Sequence, residues 1–150
     1  MYSVSMAGYF MKYVTGDGFQ NVLNKNKRVY LCGNLKQETE NKYIPTDAYE
    51  IGISQYDEFT VEKAHLHRFN TEYNYVMEGT VKVFVFRENK EYTFEAGSLF
   101  VIEPDMPYKT KAVKGTKVIF SKVPGGNDKE LTPQLEKDME SWGKSWEMKK

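Results

Sequence analysis

The sequence predicts an all-β barrel or sandwich followed by a C-terminal α-helix, in one domain of 150 residues. Three observations carry that expectation. Short strand-like runs recur between residues 48 and 123, with turn residues between them. Aromatic residues make up 15 % of the chain, and flat side chains suit a pleated surface. After the breaker Pro124-Gly-Gly-Asn127, the apolar residues switch to helical spacing.

The elements follow in order. Residues 1–47 hold short apolar runs such as Val29-Tyr-Leu-Cys32 between polar stretches, which reads as one or two strands. Lys36 to Lys42 is polar throughout and reads as an exposed loop. Residues 48–123 are the β-core. Thr80 to Arg87 alternates: Val81, Val83 and Val85 share one face, Lys82, Phe84 and Phe86 the other. A hairpin at Glu88-Asn89-Lys90 leads into Tyr92-Thr-Phe94, and Ser98 to Ile102 forms a run closed by Pro104 and Pro107. Two more strands, near 108–113 and 116–123, are joined by Lys114-Gly115. Residues 124–150 place Thr132 at an N-cap and Pro133 at the first helical position. Leu131, Leu135, Met139, Trp142 and Trp146 then form one apolar stripe, predicting a helix of about four turns against the barrel.

Charge and composition exclude several functions. Lys plus Arg and Asp plus Glu each total 21, so there is no net positive charge to displace counterions from nucleic acid. One cysteine, Cys32, rules out a disulfide within the chain and a Cys-rich zinc module, and reads as a small core residue. No apolar run approaches the roughly 20 residues that span a bilayer. The N-terminus, interrupted by Ser3, Ser5 and Lys12, makes a poor signal peptide, so a cytoplasmic protein is expected. No phosphate-cradling glycine loop or serine-nucleophile elbow is present.

The chemistry concentrates in the only two histidines, His65-Leu-His67. On a strand, residues two apart point to one side, so both imidazoles enter the same space. Glu72 follows after a turn that, read locally, brings the next strand back antiparallel, facing the histidines across the pair. Two imidazoles and a carboxylate make a facial ligand set for a divalent first-row metal. Asn74 shares the parity of Glu72 and is expected to line the cavity as a hydrogen-bonding wall, while Tyr73 and Tyr75 pack outside. Lys109 and Lys111 are expected to point outward into solvent.

The run His65-x-His67-x4-Glu72-x6-Gly79 resembles the first motif of the cupin superfamily. Gly97-Ser-Leu-Phe-Val-Ile-Glu-Pro-Asp-Met-Pro-Tyr108 resembles the second, with 17 residues between the two glycines. The resemblance covers about residues 48–121. It implies a double-stranded β-helix, or jelly-roll barrel, usually dimeric, with a metal (iron, manganese, zinc or nickel) near its centre. His65, His67 and Glu72 fall on three of the four customary ligands. The sequence departs at the fourth, where Tyr108 replaces histidine, and Asp105 and Phe59 stand where the motifs carry glycine. Tyr108 can ligate as a phenolate, bind substrate or transfer a proton as a catalytic acid–base, or simply fill the space a histidine would take.

Two functional classes follow. One is a metal-dependent enzyme acting on a small oxygen-rich metabolite (sugar, sugar acid or keto acid) by isomerase, epimerase, lyase or oxygenase chemistry. The other is a non-catalytic small-molecule or carbohydrate-binding module with a degenerate or absent metal site. In either case a small-molecule ligand and a homodimer are expected, with no nucleic-acid or membrane partner. The first 30 residues are a candidate donor strand for the dimer.

Overall fold

Alternating apolar and polar side chains build strands along most of the chain. The computed structural model describes residues 11–36 and 39–147. In chain order the elements are helix α1 (Phe19–Asn26), β1 (Arg28–Gly33), β2 (Ile44–Pro45), β3 (Glu50–Tyr56), β4 (Thr60–Val61), β5 (His65–His67) and β6 (Thr71–Glu78). Next come β7 (Thr80–Val85), β8 (Lys90–Glu95), β9 (Leu99–Ile102), β10 (Tyr108–Ala112), β11 (Thr116–Val123), β12 (Lys129–Leu131) and helix α2 (Pro133–Asp138). Short 3₁₀ turns cover Phe86–Glu88 and Ser141–Lys144.

Two sheets face one another and make the jelly-roll barrel. The first runs β2-β1-β3-β11-β6-β9, and the second β12-β5-β10-β7-β8, with β4 also pairing β10. Inward residues of both sheets meet in one core: Val76, Phe100, Ile102 and Val118 from the first, Val81, Val83, Val85, Tyr108 and Ala112 from the second. The alternation read from Thr80 therefore holds through Val85, where β7 ends; Phe86 and Arg87 belong to the following 3₁₀ turn. Gly79 closes the turn between β6 and β7 at φ 78°, and a Cβ there would lie 2.2 Å from Thr116 Oγ1. Only glycine fits that turn.

Four expectations need correction. Helix α1 was not foreseen: FQNVLNKN has only three apolar residues, and Val22 and Leu23 become a helical face by packing on Val29. The C-terminal helix is present but short, since α2 has six residues, Leu131 lies in β12, and Trp142 sits in the following 3₁₀ turn. Glu140 to Lys144 instead lays Trp142, 1 % exposed, against the outer face of the second sheet. The two strands joined by Lys114-Gly115 run over 108–112 and 116–123 rather than 108–113 and 116–123, and the link carries the chain from one sheet to the other.

The fourth correction concerns the lysines. Lys109 and Lys111 point outward, but both are buried beneath the C-terminal segment rather than solvated. Lys109 Nζ donates to Glu136 Oε1 at 2.7 Å, and Lys111 Nζ donates to the carbonyls of Trp142 and Ser145 at 2.8 and 2.9 Å. Lys111 also lies 4.1 Å from the centre of the Trp142 ring. Buried ammonium groups are tolerated because carbonyls, a carboxylate and an indole face replace their water. Burial, partly countered by Glu91, pushes the Lys111 amine below its usual range.

Of the first 30 residues, Phe19–Asn26 form α1 and Arg28 to Tyr30 begin β1, which pairs within the chain with β2 and β3. Residues 1–10, where the signal-peptide reading and the remainder of the donor-strand expectation fall, lie outside the described residues, as do 37–38 of the polar loop. No helix among the described residues is long and apolar enough to cross a membrane.

Candidate functional site

Strand periodicity turns His65 and His67 to the same side, into the barrel, each 2 % exposed. Their rings lie edge to face with centroids 5.3 Å apart. Tyr108 reaches the same point from the neighbouring strand, its Cα partnered with His65 in the β5–β10 ladder. Glu72 arrives differently from the sequence expectation. Strand β6 does not pair with β5; it lies in the opposite sheet between β11 and β9. The turn after His67 carries the chain across the sandwich, and Glu72 meets His67 from the facing wall, Oε2 to Nε2 3.1 Å.

The hydrogen bonds fix the proton positions. His65 Nδ1 lies 2.7 Å from the Lys63 carbonyl, which only accepts, so Nδ1 carries the proton and Nε2 faces inward as a lone pair. The Tyr108 hydroxyl donates to that Nε2 at 2.9 Å. His67 Nδ1 donates to Asp128 Oδ1 at 2.9 Å. Asp128 Oδ2 also accepts the backbone N–H groups of Phe69 and Asn70 at 2.6 and 2.8 Å. The His67 Nε2 lies between Glu72 and the Tyr108 oxygen, 3.2 Å from the latter.

The charges agree with this pattern. Burial alone would push His67 down, but Glu72 and Asp128 outweigh it and raise its pKa. Burial pushes His65 down, with the nearby Lys129 charge adding to it. Glu72 is desolvated, yet His67 and Lys122 hold it below the usual carboxylate range. Burial drives the Tyr108 phenol well above its ordinary range, and Glu72 reinforces it. The centre therefore sets His67 between two carboxylates that favour its charged form, beside a phenol hydrogen-bonded to His65, whose charged form burial disfavours.

Asn74 lines the same cavity, 6 % exposed. Its amide helps hold Glu72 ionised, yet Nδ2 forms no hydrogen bond of normal geometry among the described residues. The cavity measures about 80 Å³. Its far wall carries Arg28, Tyr56 and Glu62: Glu62 Oε1 lies 3.4 Å from the Tyr56 hydroxyl and 3.7 Å from the Arg28 guanidinium.

The structure thus brings His65, His67, Glu72, Asn74 and Tyr108 to one cavity. Sequence reasoning missed Asp128, which directly follows the breaker Pro124-Gly-Gly-Asn127, and the Arg28–Tyr56–Glu62 wall, whose members lie on separate elements. By donor type and orientation, two inward Nε2 atoms, a carboxylate and a phenol suit a divalent first-row cation, and tethered outer N–H groups are how ligating imidazoles are held. Among the described residues, however, no three His, Cys, Asp or Glu side chains are gathered as a ligand sphere. The Tyr108 hydroxyl stands between the two imidazoles.

Comparison with known proteins places this architecture. Residues 54–121 match the family model described as a cupin domain. No curated protein matches in sequence. Among solved structures, KdgF from Halomonas sp. is 19 % identical, with 67 % of this chain covering 80 % of that one at a TM-score of 0.53. A conserved Klebsiella pneumoniae protein with a double-stranded β-helix domain is 12 % identical, over 69 % of this chain and 90 % of that one, at 0.52. A chain from the crystal structures of the DMSP lyases RdDddP and RnDddQII is 14 % identical over 70 % of this chain, at 0.56, and this chain spans only 51 % of its length. At these identities the likeness is one of fold. With the two sheets, the motif glycine at 79 and the family match in agreement, residues 54–121 form a cupin domain.

Proposed function

We propose that this cupin binds a divalent metal ion through His65, His67 and Glu72 and acts on a small oxygen-rich metabolite, with Tyr108 as the group that carries a proton. The observation behind this reading is that both outer imidazole N–H groups are tied down, to Lys63 and Asp128, while both Nε2 atoms face inward beside Glu72. When bound, such a cation supplies Lewis acidity to a carbonyl or hydroxyl oxygen. The chain's own groups do the rest. Asp128 and the Lys63 carbonyl orient the rings, and Asn74 offers to a ligand oxygen an Nδ2 that makes no hydrogen bond of normal geometry among the described residues. Tyr108 holds a proton at its hydroxyl, exchangeable with His65 Nε2. Isomerisation or lyase chemistry on a sugar acid or keto acid matches a phenol poised for general acid–base work.

The test is metal content by elemental analysis after purification without an affinity tag, beside the His67→Ala variant. This reading expects close to one ion per chain in the parent and little in the variant. Metal absent from both, even after incubation with Mn²⁺ or Zn²⁺, sinks it.

One observation favours a second reading, a non-catalytic binding module. The Tyr108 hydroxyl already satisfies His65 and touches His67, so the site closes on itself by hydrogen bonds alone. Ligand binding without metal or turnover would establish that reading instead. The homodimer is also a proposal. It draws support from Tyr73, Tyr75 and Met77 on β6 and Leu99 and Val101 on the edge strand β9, which lie exposed on the first sheet. Light scattering that returned a 17.5 kDa particle would overturn it.

A further inference from the structure

The site cavity shares three side chains with a second, larger pocket of about 310 Å³ that opens outward: Arg28 from β1, Lys122 from β11 and Lys129 from β12. These three cations form a neck between the two spaces. Lys129 lies opposite His67 in the β5–β12 ladder, which sets it directly over the histidines. Lys122 is 3.4 Å from Glu50, and Arg28 is 3.7 Å from Glu62 and donates to Ser54 at 3.1 Å. Lys129 has no carboxylate partner among the described residues. One further group points to a ligand: the buried Asn74 Nδ2, which makes no hydrogen bond of normal geometry among the described residues, lines the inner cavity.

We propose that this neck is an anion subsite and that the protein's ligand is a small hydroxylated carboxylate. The carboxylate is held by Arg28 and Lys129 in the neck. An oxygen-bearing carbon next to it enters the inner cavity toward Asn74 and the histidines, and the rest of the molecule lies in the outer pocket. The Lys129 ammonium, the one of the three cations without a carboxylate partner among the described residues, attracts anions to a confined mouth, and the Arg28 guanidinium fork pairs well with a planar carboxylate. At about 80 Å³ the inner cavity admits one small group, so selection by charge falls to the neck. This inference deepens the function proposed above. It rests on the barrel cavity being the ligand site and is independent of whether a metal is bound.

The test compares gluconate with sorbitol, which share a carbon skeleton but differ in the carboxylate, by titration calorimetry at low salt on the full chain. Gluconate is expected to bind at least tenfold tighter than sorbitol, with the difference shrinking at high salt. Lys129→Met, on an exposed strand position, is expected to weaken gluconate about tenfold, and Lys129→Arg to restore it. Equal affinity for gluconate and sorbitol, or a Lys129→Met variant that binds as the parent does, overturns the inference. So does inorganic phosphate binding as tightly as gluconate, because the neck would then trap any anion. The metal content of the same preparations separates this from the functional reading. Gluconate selectivity in metal-free protein keeps the neck and removes the metal. Metal without gluconate selectivity does the reverse.

Discussion

Replacing Asp128 with alanine is expected to destabilise the protein by about 2–5 kcal/mol, through the cluster it closes. Asp128 accepts three hydrogen bonds, from His67 Nδ1 and from the backbone N–H groups of Phe69 and Asn70. His67 and Asn70 are buried at 2 % and 1 % exposure, so alanine leaves their donors without a partner or easy access to water. Each orphaned buried donor costs roughly 1–3 kcal/mol, and Phe69, more exposed, costs less. The variant also removes one of the two carboxylates that raise the His67 pKa, leaving Glu72 alone to do so. For a domain of this size the loss corresponds to a fall in Tm of about 5–15 °C. Thermal unfolding followed by circular dichroism reads it, and Asp128→Asn, which keeps an acceptor for the backbone groups, is expected to fall between parent and alanine. An Asp128→Ala protein melting within 2 °C of the parent would refute the reasoning.

Three further predictions follow from the same contacts. Tyr108→Phe removes the donor to His65 Nε2 inside a polar cavity and is expected to cost about 1–3 kcal/mol, read from urea midpoints; an unchanged midpoint contradicts the hydroxyl's role. Gly79→Ala forces a Cβ against Thr116 at φ 78° and is expected to cost more than about 1 kcal/mol, a loss that wild-type stability in the variant would disprove. Glu136 supplies an acid-side pH dependence. Burial alone would raise its pKa, but Lys109 and the Ala64 N–H outweigh that and hold it below the usual carboxylate range. Its contribution is therefore complete above about pH 4.5 and lost as pH falls through the lower folded value. The stability gap between parent and Glu136→Gln should narrow across that interval, and a gap constant from pH 6 to pH 3 would contradict the sign.

What could be read from the sequence was local. Val81, Val83 and Val85 alternate with Lys82, Phe84 and Phe86, and a period of two is enough to assign strand and faces. His65 and His67 share a side for the same reason, and Tyr108 came from the motif spacing. Partner choice was not legible, because nothing in residues 65–72 states that β5 and β6 belong to opposite sheets. The lysines show the same gap. Parity told that Lys109 and Lys111 point outward, but not that residues some thirty positions later would cover them. Asp128 and the neck of Arg28, Lys122 and Lys129 depend on loops and strands meeting across the fold, which no short window contains. Helix α1 escaped because its apolar face is only three residues and forms by packing on β1 and β3.

The central claim is that two imidazoles and Glu72 gather about a shared cation at the heart of the barrel. An anomalous-scattering map of crystals grown with Mn²⁺ tests it most directly. The account predicts one strong peak bounded by His65 Nε2, His67 Nε2 and Glu72, with the Tyr108 hydroxyl drawn out of its direct bond to His65. A map without a peak there, and with Tyr108 still bonded to His65 and His67 to Glu72, would contradict it.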